Sequence, residues 1–139
     1  MVVVFLALVA SGAACGSPTD CGAAPAPLLG RWTYSANQTA PTAATLTGVL
    51  TLEAGCPTFQ GALDGSEQDD HGNTAPVHVV VTGRMLDSAS VVFDAFFGVG
   101  GRRHLGTIAH DSIRGTWIEQ STGGIAGTGS FVAAKELMP

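Results

Sequence analysis

The sequence predicts an all-β domain, an eight-stranded antiparallel meander closed into a β-barrel. Three observations predict it. From Leu28 onward, short runs of alternating apolar and polar residues recur every 10–14 residues or so, with turn signals between them. Glycine is abundant, at 19 of 139 residues, and six of the predicted strands carry one near the middle. Most of the connections are short, so strands that are neighbours in sequence should be neighbours in space.

The elements follow in order. Gly30–Ser35 opens the barrel. In Leu46–Glu53, Leu46, Leu50 and Leu52 oppose Thr47, Thr51 and Glu53. Thr58–Leu63 follows, then Val77–Met85, where Val77, Val79, Val81 and Met85 share one face and His78, Thr82 and Arg84 the other. In Ser90–Phe97, Val91, Phe93, Ala95 and Phe97 oppose Ser90 and Asp94. His104–Ala109, Ile113–Glu119 and Gly129–Ala134 complete the set. A period of two with one apolar face marks a half-buried antiparallel strand. Asp87-Ser88 and His110-Asp111-Ser112 read as tight turns, whereas Ala36–Thr45 and Asp64–Pro76 read as longer loops. The central glycines are Gly48, Gly61, Gly83, Gly106, Gly115 and Gly129. Glycine weakens a strand, so its recurrence needs a reason. Gly48, Gly61, Gly83 and Gly115 fall on the inward parity, where a missing side chain lets the sheet coil tightly enough to close. Closure also removes exposed strand edges.

Ahead of the barrel the chain changes character. Val2 to Ala10 are almost all Val, Leu, Phe and Ala, and Ser11-Gly12-Ala13-Ala14 are small. The apolar run is about half the length that spans a bilayer, which fits the core of an export signal with a small-residue cleavage site. No later stretch is long and apolar enough to span. Cys15 follows the small residues, and Gly12-Ala13-Ala14-Cys15 resembles the lipobox of bacterial lipoproteins. That resemblance implies cleavage before Cys15 and lipidation of its sulfur. The expected organisation is therefore a signal peptide over 1–14, a flexible tether over 15–27 and a barrel domain over 28–139. It places the protein in a bacterial cell envelope, in the periplasm, at the outer membrane or on the cell surface, held by an N-terminal lipid. Residues 16–27, rich in Pro, Ala and Gly, suit a tether. With Cys15 lipidated, Cys21 and Cys56 remain of the three cysteines. In an oxidising compartment they could pair as one disulfide, or stay as free thiols.

A G-x-W opens the first strand as Gly30-Arg31-Trp32. Later come Thr82-Gly83-Arg84 and Gly115-Thr116-Trp117. These motifs resemble the calycins, the lipocalins, avidins and related small bacterial barrels. The resemblance covers about 110 residues as pattern. It implies the barrel and a Trp32 that closes one end. Avidins grip biotin with an Asn and a Gly-Ser in the first strand. Tyr34-Ser35-Ala36 stand here instead, so the resemblance carries the fold rather than that ligand.

Composition narrows the function. Net charge is −5, with one Lys and five Arg, and Arg102-Arg103 is the sole basic pair. Nucleic acid is therefore not an expected partner. The acidic stretch from Asp64 to Asn73 lacks EF-hand spacing and reads as a solvated loop rather than a Ca²⁺ site. His71, His78, His104 and His110 show no metal-binding spacing, and each reads as a surface residue. No C-x-x-C, nucleophile elbow, paired-carboxylate motif or phosphate loop occurs, so no catalytic residue, metal or cofactor is expected. The interior remains. Trp32, Tyr34, Leu50, Phe59, Val79, Phe93, Phe97, Ile113 and Trp117 should point inward, with few polar groups among them. Small barrels either fill this space with side chains or leave room for one small ligand, and in the second case Trp32, Tyr34, Phe93, Phe97 and Trp117 are the candidate lining of the cavity. The expectation is a non-enzymatic barrel that binds a small apolar ligand or an envelope component. The alternative is a periplasmic protein-binding module, inhibitor-like or an accessory subunit.

Overall fold

Period-two alternation persists through almost every strand, and the chain closes on itself as that pattern requires. The computed structural model describes residues 28–54, 59–98 and 100–137. They form β1 (Gly30–Ala40), β2 (Ala44–Ala54), β3 (Phe59–Asp69), β4 (Thr74–Met85), β5 (Ser90–Phe97), β6 (Gly100–Ala109), β7 (Ser112–Ser121) and β8 (Gly124–Lys135). Each strand pairs antiparallel with its sequence neighbours, and β8 returns to β1, so the sheet is a closed barrel. One row of paired residues runs Gly30, Leu52, Gly61, Val81, Ala95, Arg102, Glu119, Gly127. The residue after Gly127, Thr128, pairs with Ala40 at the far end of β1. That offset around the wall is the stagger a tilted barrel needs.

The inward face is apolar over most of its length. Trp32, Leu50, Phe59, Leu63, Val81, Val91, Ala95 and Ile113 are fully buried. Each large member contributes about 1.5–3 kcal/mol by leaving water. Trp32 plugs one end: its indole Nε1 donates to the Leu28 carbonyl at 3.0 Å, and Lys135 Nζ sits 5.4 Å from the ring centroid. The opposite end carries the β1–β2, β3–β4, β5–β6 and β7–β8 connections.

The glycines have two uses, of which the sequence suggested one. Gly48 and Gly65 face each other across β2 and β3, and a Cβ on Gly48 would lie 2.8 Å from the Gly65 Cα and closer still to the Asp64 carbonyl. Such glycine pairs bend the wall. Others are seats for aromatic rings. A Cβ on Gly106 would meet Phe131 Cζ at 2.9 Å, and one on Gly129 would meet Trp117 Cε2 at 2.7 Å. Gly83 lies in the same way under Phe59. Glycine in the wall thus admits rings that the lumen could not otherwise hold.

Both expected long loops are mostly strand. β1 continues to Ala40 and β2 begins at Ala44; β3 continues to Asp69 and β4 begins at Thr74. At the open end both faces of these strands are rich in polar side chains, so the alternation fades although the pairing continues. The Asp64–Asn73 stretch is therefore a hairpin rather than a loop, and it is solvated as expected, with most of its residues exposed. Its turn is tied by Asp69, whose Oδ1 accepts from the His71 and Asn73 amides at 2.9 and 2.8 Å and whose Oδ2 accepts from Asn73 Nδ2 at 3.0 Å. The β6–β7 connection is two residues, His110-Asp111, with His110 in the left-handed region at φ 53°. Cys15, Cys21 and Cys56 all lie outside the described residues, as do the signal segment and the tether.

Candidate functional site

The open end of the lumen is charged. β6 turns Arg102 and His104 inward and leaves Arg103 and Leu105 outside, with Leu105 53% exposed. Arg102 reaches across the barrel: its Nη1 donates to Glu67 Oε2 on β3 at 2.6 Å. Its Nε donates to Glu119 Oε2 on neighbouring β7 at 3.4 Å. The guanidinium also lies 4.2 Å from the Phe97 ring centroid and 4.8 Å from that of Trp117. Burial opposes the Arg102 charge, but the bond and charge of Glu67, then those of Glu119, outweigh it and hold the group above its ordinary value.

Below this layer a second tie crosses the lumen. Tyr34 on β1 and His104 on β6 meet with the phenol oxygen 2.7 Å from Nε2. His104 Nδ1 lies 3.0 Å from the Arg102 backbone carbonyl, which can only accept. Nδ1 therefore carries the proton, and Nε2 accepts from the Tyr34 hydroxyl. The imidazole stacks on Phe93 at 4.3 Å and meets the Phe131 edge at 5.0 Å. Burial chiefly, aided by the Arg102 charge, pushes His104 down to about 4. Burial likewise pushes the Tyr34 phenol well above its usual range, with Arg102 opposing and Glu67 adding. Both groups are neutral near pH 7 and held as a fixed hydrogen bond.

One donor is left over. Trp117 is 2% exposed, and its indole Nε1 has no partner among the described residues. Its ring lies between Gly129 and the Arg102 guanidinium. A buried, unbonded N–H is uncommon in folded proteins.

The five expected lining residues do not share one cavity. Trp32 plugs the closed end, Tyr34 and Phe93 fill the middle, and Phe97 and Trp117 stand at the open end beside Arg102. The middle of the lumen is occupied by the packed rings of Tyr34, Phe93, His104 and Phe131. A depression of about 210 Å³ lies at the open rim, between Ala40-Pro41 and residues 125–128. Two others lie on the outer wall, over Gly83 and Gly61. The expectation of few polar groups inside is overturned by Glu67, Arg102, His104 and Glu119. His104 is fully buried rather than at the surface, because its register partners are Phe93 and Trp117. The signal was available: a two-residue turn at His110-Asp111 pairs Ala109 with Ser112, which sets His104 opposite Trp117. If Trp117 faces in, His104 must too. The other histidines are exposed: His78 pairs with Asp64 on the outer wall, His71 lies 3.6 Å from Asp70, and His110 is in its turn. Among the described residues, no three His, Asp or Glu side chains are placed to hold a metal ion.

No protein-family model matches the chain, and no curated protein does. Solved structures do match in fold. One is EF1p2_mFAP2b bound to DFHBI, with a TM-score of 0.65 and 12% identity over 79% of this chain and 94% of that one. A de novo designed fluorescence-activating β-barrel matches with a TM-score of 0.56 and 16% identity, covering 78% and 93%. The S-type phycobiliprotein lyase CPES from Guillardia theta matches with a TM-score of 0.56 and 8% identity, covering 81% and 90%. The chain has the fold of these small β-barrels. Identities this low carry the fold alone.

Proposed function

We propose that the protein is a non-enzymatic binding barrel that takes one small molecule at the Arg102 end of its lumen. The observation that carries this is the buried polar layer there, with a Trp117 N–H that has no partner among the described residues. Apolar residues of similar volume would fill the space with equal or greater stability. An unsatisfied buried donor costs about 1–3 kcal/mol, which a ligand acceptor would recover. The ligand therefore has an apolar body and a polar head, rather than being apolar throughout. Support comes also from the fold: one of the similar barrels is bound to DFHBI. The protein works outside the cytoplasm, exported by the segment before Cys15 and anchored to the envelope by a lipid on that residue.

Trp117 reports on the site. In a Trp32→Phe variant the remaining tryptophan emission comes from Trp117. A screen of small flat compounds should then find some that alter this emission and raise the melting temperature together. If no compound does both, the binding reading falls. For the anchor, a radioactive fatty acid should label the wild type and not Cys15→Ser, and an unlabelled wild type refutes it. A protein partner is the second reading, favoured by Ile125 at the open rim, 65% exposed, and by Phe96, 51% exposed.

A further inference from the structure

We infer that the ligand is a small organic cation: a flat ring with an ammonium or amidinium group at one end and a carbonyl-type acceptor at the other. This rests on the reading above and adds the chemical class. Two carboxylates and one guanidinium share the open end of the lumen, so the layer carries a net negative charge. The exposures are ordered to match. The Glu67 and Glu119 side chains are 31% and 25% exposed, and Arg102 is 8% exposed. A molecule entering from solvent meets the carboxylates first and the guanidinium last.

An anion would have to approach past two carboxylates already bonded to Arg102, against a layer that is net negative. A cation meets no such opposition. It can donate a further hydrogen bond to each carboxylate, since an ionised carboxylate has about four acceptor positions and Arg102 uses one on each. Phe97 and Trp117 already hold one cation against their rings, and aromatic faces favour a second over an anion. The acceptor in the ligand answers a separate feature, the Trp117 Nε1 donor that lies in the lumen without a partner among the described residues. Gln38 stands at the same end, but its Nε2 is committed to the Thr42 carbonyl at 2.9 Å.

Four probes separate the two features. 4-(Aminomethyl)benzamide has the cation and the carbonyl, 4-methylbenzamide the carbonyl alone, 4-carbamoylbenzoate an anion with the carbonyl, and 4-methylbenzylamine the cation alone. Calorimetric titration of the whole protein at pH 7 should show 4-(aminomethyl)benzamide binding at least tenfold more tightly than any of the others. In Glu119→Gln, and further in Glu67→Gln/Glu119→Gln, this preference over 4-methylbenzamide should shrink at least tenfold. Glutamine keeps an acceptor for Arg102, and a single cooperative unfolding transition in each variant verifies the fold. In Trp117→Phe the advantage over 4-methylbenzylamine should disappear instead. Equal or tighter binding of the carboxylate probe overturns the cation inference while leaving a binding barrel in place. Equal binding of the cationic and neutral benzamides overturns it too. Absence of binding by all four overturns it, and a silent Trp117 screen alongside would remove the binding reading as well.

Discussion

Acid should loosen this barrel through His104 in particular. The imidazole is buried, stacked on Phe93, and bonded on both nitrogens in its neutral form. Protonation would put a charge there, near Arg102, and would turn Nε2 from acceptor to donor, leaving the Tyr34 O–H without its acceptor. Asp94 favours the charge, but burial dominates, and His104 is pushed down to about 4 from its ordinary 6.5. The sign follows from linkage. Between roughly pH 6.5 and 4 the unfolded chain binds a proton that the folded chain refuses, so stability is full above this window and falls as pH falls through it. At 1.36 kcal/mol per pH unit, the loss across the window is about 3 kcal/mol. The control is His104→Gln, whose side chain does not titrate and whose amide oxygen can still accept from Tyr34. Urea unfolding of both proteins from pH 7.5 to pH 4 should show the wild type losing about 3 kcal/mol more than the variant. The carboxylates titrate in both and cancel in the difference. Parallel curves would mean that His104 is not held neutral, and the account of the Tyr34–His104 tie would fail.

Other perturbations test other parts of the fold. Gly48→Ala puts a Cβ against the Asp64 carbonyl and Gly65, where only backbone can yield. It should cost about 1–3 kcal/mol in denaturant unfolding, more than an alanine at exposed Gly123. Trp32→Phe loses the bond to the Leu28 carbonyl, worth about 1 kcal/mol. Trp117→Phe removes a donor that has no partner among the described residues and should be the milder of the two by a similar margin. Arg102→Ala leaves Glu67 and Glu119 without their cation. It should destabilise by about 3 kcal/mol, the low end for a broken buried pair because both carboxylates are part-exposed. Chemical denaturation at neutral pH checks all of these, and an Arg102→Ala barrel as stable as wild type would refute the charged layer.

The barrel was legible in the sequence because apolar alternation survives wherever one face is dry. Ser90–Phe97 is bounded identically in sequence and structure. At the open end the strands run further than the alternation does, because Gln38, Ser66 and Gln68 break the pattern while the backbone still pairs. The site was hidden by the same effect in stronger form. Along Arg102-Arg103-His104-Leu105 the polar residues Arg102 and His104 face in while the apolar Leu105 faces out, so hydropathy assigns the parity backwards. Register corrects it, since His104 must share a face with Phe93 and Trp117. Glu67 was lost for a different reason: it sits among acidic neighbours, and its partner lies on a strand three places further round the barrel.

The lumen is therefore graded from dry to charged, and the grading sets the depth of any ligand. Trp32 and Leu28 close one end, and the four packed rings of Tyr34, Phe93, His104 and Phe131 fill the middle. Entry is left to the end where Glu67, Arg102 and Glu119 meet. Passage deeper would require parting the Tyr34–His104 bond, together with the stack of Phe93 on the imidazole. That would expose two polar groups to an apolar core, at about 1–3 kcal/mol for each. A ligand that stops at the Arg102 layer avoids this cost. It is then about one ring deep, which is why the Trp117 N–H, rather than the core beneath it, is the group such a ligand must satisfy.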